Sequence, residues 1–186
     1  MALDTVEGLF ERMARLGQGA YGLSAVTQLE HGLQSAALAQ KRQLGEAATI
    51  GALFHDIGHL RTAADESLAE RGIDDRHEHA SAAILARLFG QAVSEPVRLH
   101  VAAKRYLCTV ESDYFDRLSP DSVRSLELQG GRMSPKEVTA FEGEPYQKEA
   151  LALRRIDEDA KVAGLQVPGL DHYRSMAEEL ARKQAC

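Results

Sequence analysis

Leu53-Phe54-His55-Asp56-Ile57-Gly58-His59-Leu60 is the stretch on which the reading of this chain turns. Helical spacing predicts that His55 and His59, four residues apart, share one face. Ile50, Leu53, Phe54 and Ile57 fill the opposite face and would hold that helix against a core. Asp56 adjoins His55, so one short segment offers an imidazole and a carboxylate. That pair suits a first-row metal: imidazole nitrogen binds it, and a carboxylate can bridge two ions.

The surroundings predict an all-α protein. Ala, Leu, Glu and Arg dominate, and alternating β-branched runs are absent. Helices are predicted near 3–17, 24–43, 46–59, 77–89, 94–107, 121–128, 145–161 and 169–184. Asp75 followed three residues later by Glu78 gives the helix near 77 a capping-box start. Leu170, Tyr173, Met176 and Leu180 share a face, so the last helix should pack as a closing element. Two stretches break the pattern: 60–76, polar and acidic around Gly72, and 129–136, Gln-Gly-Gly-Arg-Met-Ser-Pro-Lys. Both read as loops, the first as a candidate lid over a site. With no internal repeat or composition break, residues 1–186 are expected to form a single domain, a helical bundle.

The whole chain narrows the partners. It has 186 residues, a formal charge of -6, 44% hydrophobic and 27% charged residues, ordinary for a globular protein with a real core. The negative balance argues against nucleic acid or an anionic membrane as the main partner, yet a local Lys/Arg cluster can still hold a small anion. Cys108 and Cys186 are the only cysteines and no C-x-x-C occurs, so a disulfide framework or thiolate zinc site is not expected. The acidic, mixed beginning does not read as a secretory signal, and no apolar run approaches the roughly 18 residues that span a bilayer. A cytoplasmic setting is the expectation.

Further candidate ligands lie at His31 in QLEHGLQSA, His77 in RHEHASAAIL, His100 in LHVAAKRYL and Asp157 in RRIDED. The helix carrying His31 is expected to bury Val26, Leu29, Leu33 and Ala37 on one side, and His31 points roughly the other way beside Thr27, Gln34 and Leu38. Periodicity leaves open whether that side meets solvent or a polar cavity. Taken singly, a helical His is more often a surface or hydrogen-bonded core residue, and Asp157 beside Glu158 and Asp159 reads as a solvated acidic face. His79 and His172 keep that reading.

The combination has an order: a His, then His-Asp, then two further His and a late Asp. That order resembles the HD-domain superfamily, and QLEH followed by LQ, LFHDIGH, HVAAKRYL, LELQGG and VPG…HYR run as in one branch of it. Within it the chain resembles the mixed-valent diiron oxygenases of organophosphonate catabolism, the PhnZ-like branch, from about Tyr21 to VPGLDHYRSM. The resemblance implies two iron ions, Fe(II)/Fe(III), bridged by Asp56, with O2 as co-substrate. His31, His55 and Asp157 would complete one iron site and His77 and His100 the other, His77 being preferred to His79 because it leads the H-E-x-x-[GS]-A stretch. A minimal single-metal HD hydrolase needs only His31, His55, Asp56 and Asp157.

The resemblance also implies a small organophosphonate substrate, contacted by Tyr21, Ser24, His59, Lys104, Ser122, Ser125 and Arg154. Of these, Tyr21, His59 and Lys104 are expected to serve catalysis, without any side chain acting as a general base. Lys supplies a point charge, Arg a planar fork, and hydroxyls satisfy remaining lone pairs. One position departs from the pattern: members acting on a free amine carry Tyr-x-x-Glu before QLEH, and here the stretch is Tyr21-Gly22-Leu23-Ser24. Without that carboxylate, a quaternary ammonium, which has no N–H to donate, is favoured over a primary one. The expected reaction is thus conversion of (1-hydroxy-2-(trimethylammonio)ethyl)phosphonate to glycine betaine and phosphate. The alternatives are the corresponding amine giving glycine, a metal-dependent phosphohydrolase, and a silent metal-stabilised module. The sequence specifies no oligomeric state.

Overall fold

The structure, a computed structural model, describes residues 3–22, 25–60 and 76–185. Among them the chain forms α1 (Val6–Leu16), α2 (Gln28–Lys41), α3 (Glu46–Phe54), α4 (His77–Phe89), α5 (Gln91–Val110), α6 (Pro120–Leu128), α7 (Pro135–Glu142), α8 (Gln147–Asp159) and α9 (Arg174–Gln184), with short 3-10 turns at Ile57–His59, Phe115–Arg117 and Leu170–Tyr173. No strand occurs among the described residues, only an isolated bridge between Ala20 and Thr27. The all-α expectation is met. No helix among the described residues is long and apolar enough to cross a membrane.

Short polar residues start the helices by accepting from backbone N–H groups that lack helical partners. Thr27 and Glu30 form a reciprocal capping box that begins α2 at Gln28, four residues later than the sequence reading. Ser134 and Glu137 do the same for α7, with Pro135 at its first position. That helix is absent from the sequence reading, which assigned 129–136 to a loop. Its signature, Ser-Pro-x-Glu, stood in the sequence. α5 also starts earlier than expected, because Gly90 at φ +72° turns the chain directly from α4 into α5 and Pro96 is carried inside the helix. The proposed Asp75 cap lies outside the described residues; the residue preceding α4 is Arg76, whose side chain makes no capping bond.

α3 is the buried axis of the bundle. It packs against α2, α4, α5, α8 and α9, and its residues from Thr49 to Phe54 are all buried. Ile50, Leu53, Phe54 and Ile57 sit in one apolar cluster with Leu9, Phe10, Leu85, Val97 and Tyr173, and Phe54 meets Phe10 edge-on at 5.3 Å. Burying each such side chain contributes about 1.5–3 kcal/mol. Tyr173 and Ala177 are fully buried, and Leu170, Met176 and Leu180 pack on the same cluster, so the terminal segment does close the bundle.

Two glycines set how closely the elements around the His-Asp segment approach. A Cβ at Gly32 in α2 would stand 2.6 Å from the Leu53 carbonyl oxygen and 2.5 Å from Met13 Cε; one at Gly58 would stand 2.4 Å from the His77 carbonyl oxygen. α2 therefore crosses α3 beside His31 with only a hydrogen atom between them.

Replacing Gly32 by Ala is expected to destabilise the fold by about 1–3 kcal/mol, the usual cost of overpacking. Gly143→Ala is expected to change stability by less than about 0.5 kcal/mol, because Gly143 has negative φ and no neighbour closer than 3.5 Å. Urea unfolding of both variants measures the contrast.

Candidate metal centre and anion pocket

The α-helix stops at Phe54, and the His-Asp pair forms the joint that follows it. His55 is the last residue with α geometry, and Asp56 turns at φ -104°, ψ 11° into the 3-10 turn Ile57–His59. The expected continuous helix through His59 is thus broken. The break swings His55 and Asp56 into the same interior space, although neighbouring positions on a regular helix point about 100° apart.

That space gathers the candidate ligands predicted from the sequence. His31 Nε2 lies 3.2 Å from His55 Nε2, and 3.3 Å from Asp157 Oδ1. Asp56 Oδ2 stands 3.5 Å from His55 Nε2 and 3.8 Å from His31 Nε2. On its other side, Asp56 Oδ1 stands 3.4 Å from His77 Nε2 and 3.8 Å from His100 Nε2, and those two nitrogens are 3.3 Å apart. All six side chains are buried. Donor atoms about 2.1 Å from one centre, at angles of about 90–140°, are separated by about 3–4 Å.

The hydrogen bonds behind the rings decide what the front nitrogens are. His31, His55 and His100 hold their Nδ1 atoms 2.9, 2.8 and 2.7 Å from the carbonyl oxygens of Ala160, Ala52 and Val97. A carbonyl only accepts, so each Nδ1 carries a proton, and each ring in its neutral form points a bare Nε2 lone pair inward. Two bare lone pairs 3.2 Å apart repel unless positive charge lies between them. Asp56 Oδ1 adds a buried carboxylate oxygen with no hydrogen-bond partner among the described residues. An inward-facing set of imidazole and carboxylate donors with one orphaned oxygen fits a metal ion.

The electrostatics show the same demand. Burial opposes a charge on His55, yet Asp56 and Asp157 outweigh it and lift its pKa to about 9. Burial would also raise Asp56, but His55, His77, His59 and His100 hold it far below the carboxylate range. His100 is pushed down to about 3 by burial and by His77 and His55. Two carboxylates here stay charged, and they draw cations.

Next to this centre lies a second cluster, rich in cations. Asp157 turns Oδ1 toward His31 and gives Oδ2 to Arg154 Nη1. Arg154 Nη2 donates to Glu158 and, at 3.1 Å, to Ser122 Oγ, while its Nε donates to the Tyr114 hydroxyl at 3.1 Å. Lys104 is 4% exposed and donates to Ser125 Oγ at 2.6 Å; among the described residues no carboxylate comes within ion-pair distance of it. Burial, then Arg154, push its pKa down to about 7. Tyr21 is half-buried, stacked on His31 with centroids 4.0 Å apart, and its hydroxyl donates to Asp157 Oδ1 at 3.5 Å.

The structure therefore brings together Tyr21, Lys104, Ser122, Ser125 and Arg154 beside the donor cluster. His59 stacks on His77 at 4.0 Å and offers a ring nitrogen within 4.8 Å of donors on Asp56 and His77. Its place is beside the second half of the centre. Ser24 and residues 61–75 of the candidate lid lie outside the described residues. His79 is 56% exposed and His172 is exposed, so both keep their surface reading. Asp157 departs from its single-residue reading: it is buried, whereas its neighbour Asp159 is 55% exposed. The His31 side of α2 proves to be the deeply buried one, and Leu29, Leu33 and Ala37 are only half-buried. Sequence reasoning missed Tyr114, Glu158 and Lys161. The spacing of Glu158 and Lys161, four residues after Arg154 and Asp157, was the available signal; Tyr114 carried none.

No family model matches the chain. Over 176 residues it is 48% identical to a hydroxymethylphosphonate dioxygenase of Gimesia maris, covering 94% of this chain and 87% of that one. Over 181 residues it is 38% identical to a glycine-betaine-forming [1-hydroxy-2-(trimethylamino)ethyl]phosphonate dioxygenase of Leisingera caerulea, covering 97% of this chain and 91% of that one. With the donor cluster and the cation-rich cluster both inside the shared length, the chain belongs to the family of the hydroxyphosphonate dioxygenases.

Proposed function

We propose that the protein is an O2-dependent diiron oxygenase that cleaves the carbon–phosphorus bond of a small 1-hydroxyphosphonate. The observation that carries this reading is the division of the Asp56 carboxylate, one oxygen facing His31 and His55 and the other facing His77 and His100. His31, His55 and Asp157 would hold one iron, and His77 and His100 the other. Two irons held there would supply Lewis acidity and the electron sharing that O2 activation needs. A single-metal hydrolase has no use for His77 and His100, which favours the oxygenase over the phosphohydrolase.

The chain's own residues do the rest. Lys104, Arg154, Ser122 and Ser125 bind the phosphonate oxygens, the buried Lys104 ammonium supplying charge that no described carboxylate neutralises. Tyr114 holds the Arg154 guanidinium from behind and fixes its fork. With the phosphonate anchored there, the C1 hydroxyl and C1–H face the donor cluster, so positioning accomplishes what a general base would otherwise do. Burial, then Asp157 and Asp56, hold the Tyr21 hydroxyl well above its ordinary pKa. It stays protonated, donates to Asp157, and shields that side of the centre from water. The balance is one hydroxyphosphonate plus one O2 giving one carboxylate and one phosphate. The C1–H and C–P bonds break, one new oxygen atom is needed in each product, and the substrate provides all four electrons.

Iron-loaded protein is expected to release phosphate from a 1-hydroxyphosphonate in air and none under argon; release under argon defeats the oxygenase reading in favour of hydrolysis. Metal analysis at saturation should find two irons per chain in the native protein and about one in His100→Ala. A native content of one removes the diiron proposal. Lys104→Met should raise KM for the phosphonate about ten- to a hundredfold, matching loss of a charge-assisted hydrogen bond of about 1.5–3 kcal/mol.

A further inference from the structure

Both hydroxyls assigned to the phosphonate, Ser122 and Ser125, sit on α6, yet that helix has little apolar hold on the bundle. Its only buried residues are Ser122 and Leu126. Leu126, in the last turn, packs with Leu107, Cys108 and Tyr114. One apolar anchor at the C-terminal end leaves the start of α6 weakly held by burial. Its register there must come from polar contacts. Ser119, Ser122 and Ser125 recur every three residues and share one face.

Glu158 makes the contacts that fix this face from α8. Its Oε1 accepts from the Ser119 backbone N–H at 2.7 Å, and its Oε2 accepts from Ser122 Oγ at 2.8 Å. Oε2 also receives Arg154 Nη2 and, at 3.3 Å, Lys161 Nζ. Arg154 Nη2 and Lys161 Nζ each stand 3.1 Å from Ser122 Oγ as well. The Glu158 side chain is only 11% exposed. A carboxylate serving only to neutralise Arg154 would have no need of the Ser119 N–H, an uncharged donor on another element. Negative charge at the start of a helix is itself stabilising.

The two oxygens have different tasks. Oε1 holds the frame, because a backbone N–H cannot turn away without moving α6. Oε2 takes the one hydrogen of the Ser122 hydroxyl, which rotates about a single bond. That hydrogen can pass from Glu158 to a phosphonate oxygen while the Ser119 N–H keeps the helix in place.

We propose that Glu158 is a positioning residue that holds α6 in register with α8 and so sets where Ser122 and Ser125 meet the phosphonate relative to Arg154. This inference rests on the assignment of the pocket to a phosphonate.

The test joins amide hydrogen exchange with anaerobic calorimetry of hydroxymethylphosphonate on iron-loaded protein. In Glu158→Ala the amides of residues 119–128 should exchange at least tenfold faster, those of α3 and α5 remaining as in native protein. The phosphonate should bind about tenfold more weakly, with iron content unchanged. Glu158→Gln, which keeps the shape and one acceptor oxygen, should stay within about threefold of native protein on both measures. Adding Glu158→Ala to Ser122→Ala should weaken binding by no more than about threefold beyond Ser122→Ala alone, since contacts in one network are not additive. Unchanged exchange of α6 in Glu158→Ala overturns the inference, as does faster exchange throughout the chain. Tighter phosphonate binding also overturns it, by showing that the carboxylate competes with the ligand. If native protein binds no hydroxymethylphosphonate, the phosphonate reading falls and the positioning role with it, whatever the exchange of α6 shows.

Discussion

A buried carboxylate whose two oxygens face two separate pairs of imidazoles is the constraint around which this molecule is arranged. Asp56 is 8% exposed, and its Oδ1 lacks a hydrogen-bond partner among the described residues. A desolvated charge in that state is costly unless positive charge meets it. The histidines point their Nε2 atoms toward the same space, and in their neutral form these raise the demand for a cation further. The sinking of α3 into the core, the break after Phe54 and the hydrogen-only crossing at Gly32 all serve to place this one carboxylate.

α8 links the two halves of the site. Arg154, Asp157 and Glu158 lie three and four residues apart on one helix face, and Lys161 follows just beyond its end. Asp157 reaches the histidines with one oxygen and the guanidinium with the other. The donor cluster and the anion pocket therefore share a carboxylate, and the charge state of either is felt by the other. The three cations would be mutually repulsive without it.

Much of this was legible in the sequence, for identifiable reasons. The apolar positions of α3 and of the closing helix have a clean helical period, and their burial follows from it. The donor residues were legible as a set because their order matched a known pattern; nothing in the spacing alone distinguished buried Asp157 from exposed Asp159. The joint at His55-Asp56 was not legible, because nothing in the local composition marks the break: neither proline nor a left-handed residue is involved. α7 was missed where Gly130 and Gly131, both at positive φ, masked the Ser134–Glu137 capping box just beyond them. Tyr114 acts through a tertiary contact that no periodicity encodes.

The carbonyls of Ala52, Val97 and Ala160 hold three of the imidazoles in orientation. A main-chain acceptor survives any change of side chain, so substitution at those positions leaves ring direction untouched. His77 differs: its Nδ1 faces the Glu78 carboxylate at 3.8 Å, which a single codon can replace. Substitution of Glu78 can therefore change the surroundings of the His77 ring, whereas the acceptors behind His31, His55 and His100 belong to the backbone itself.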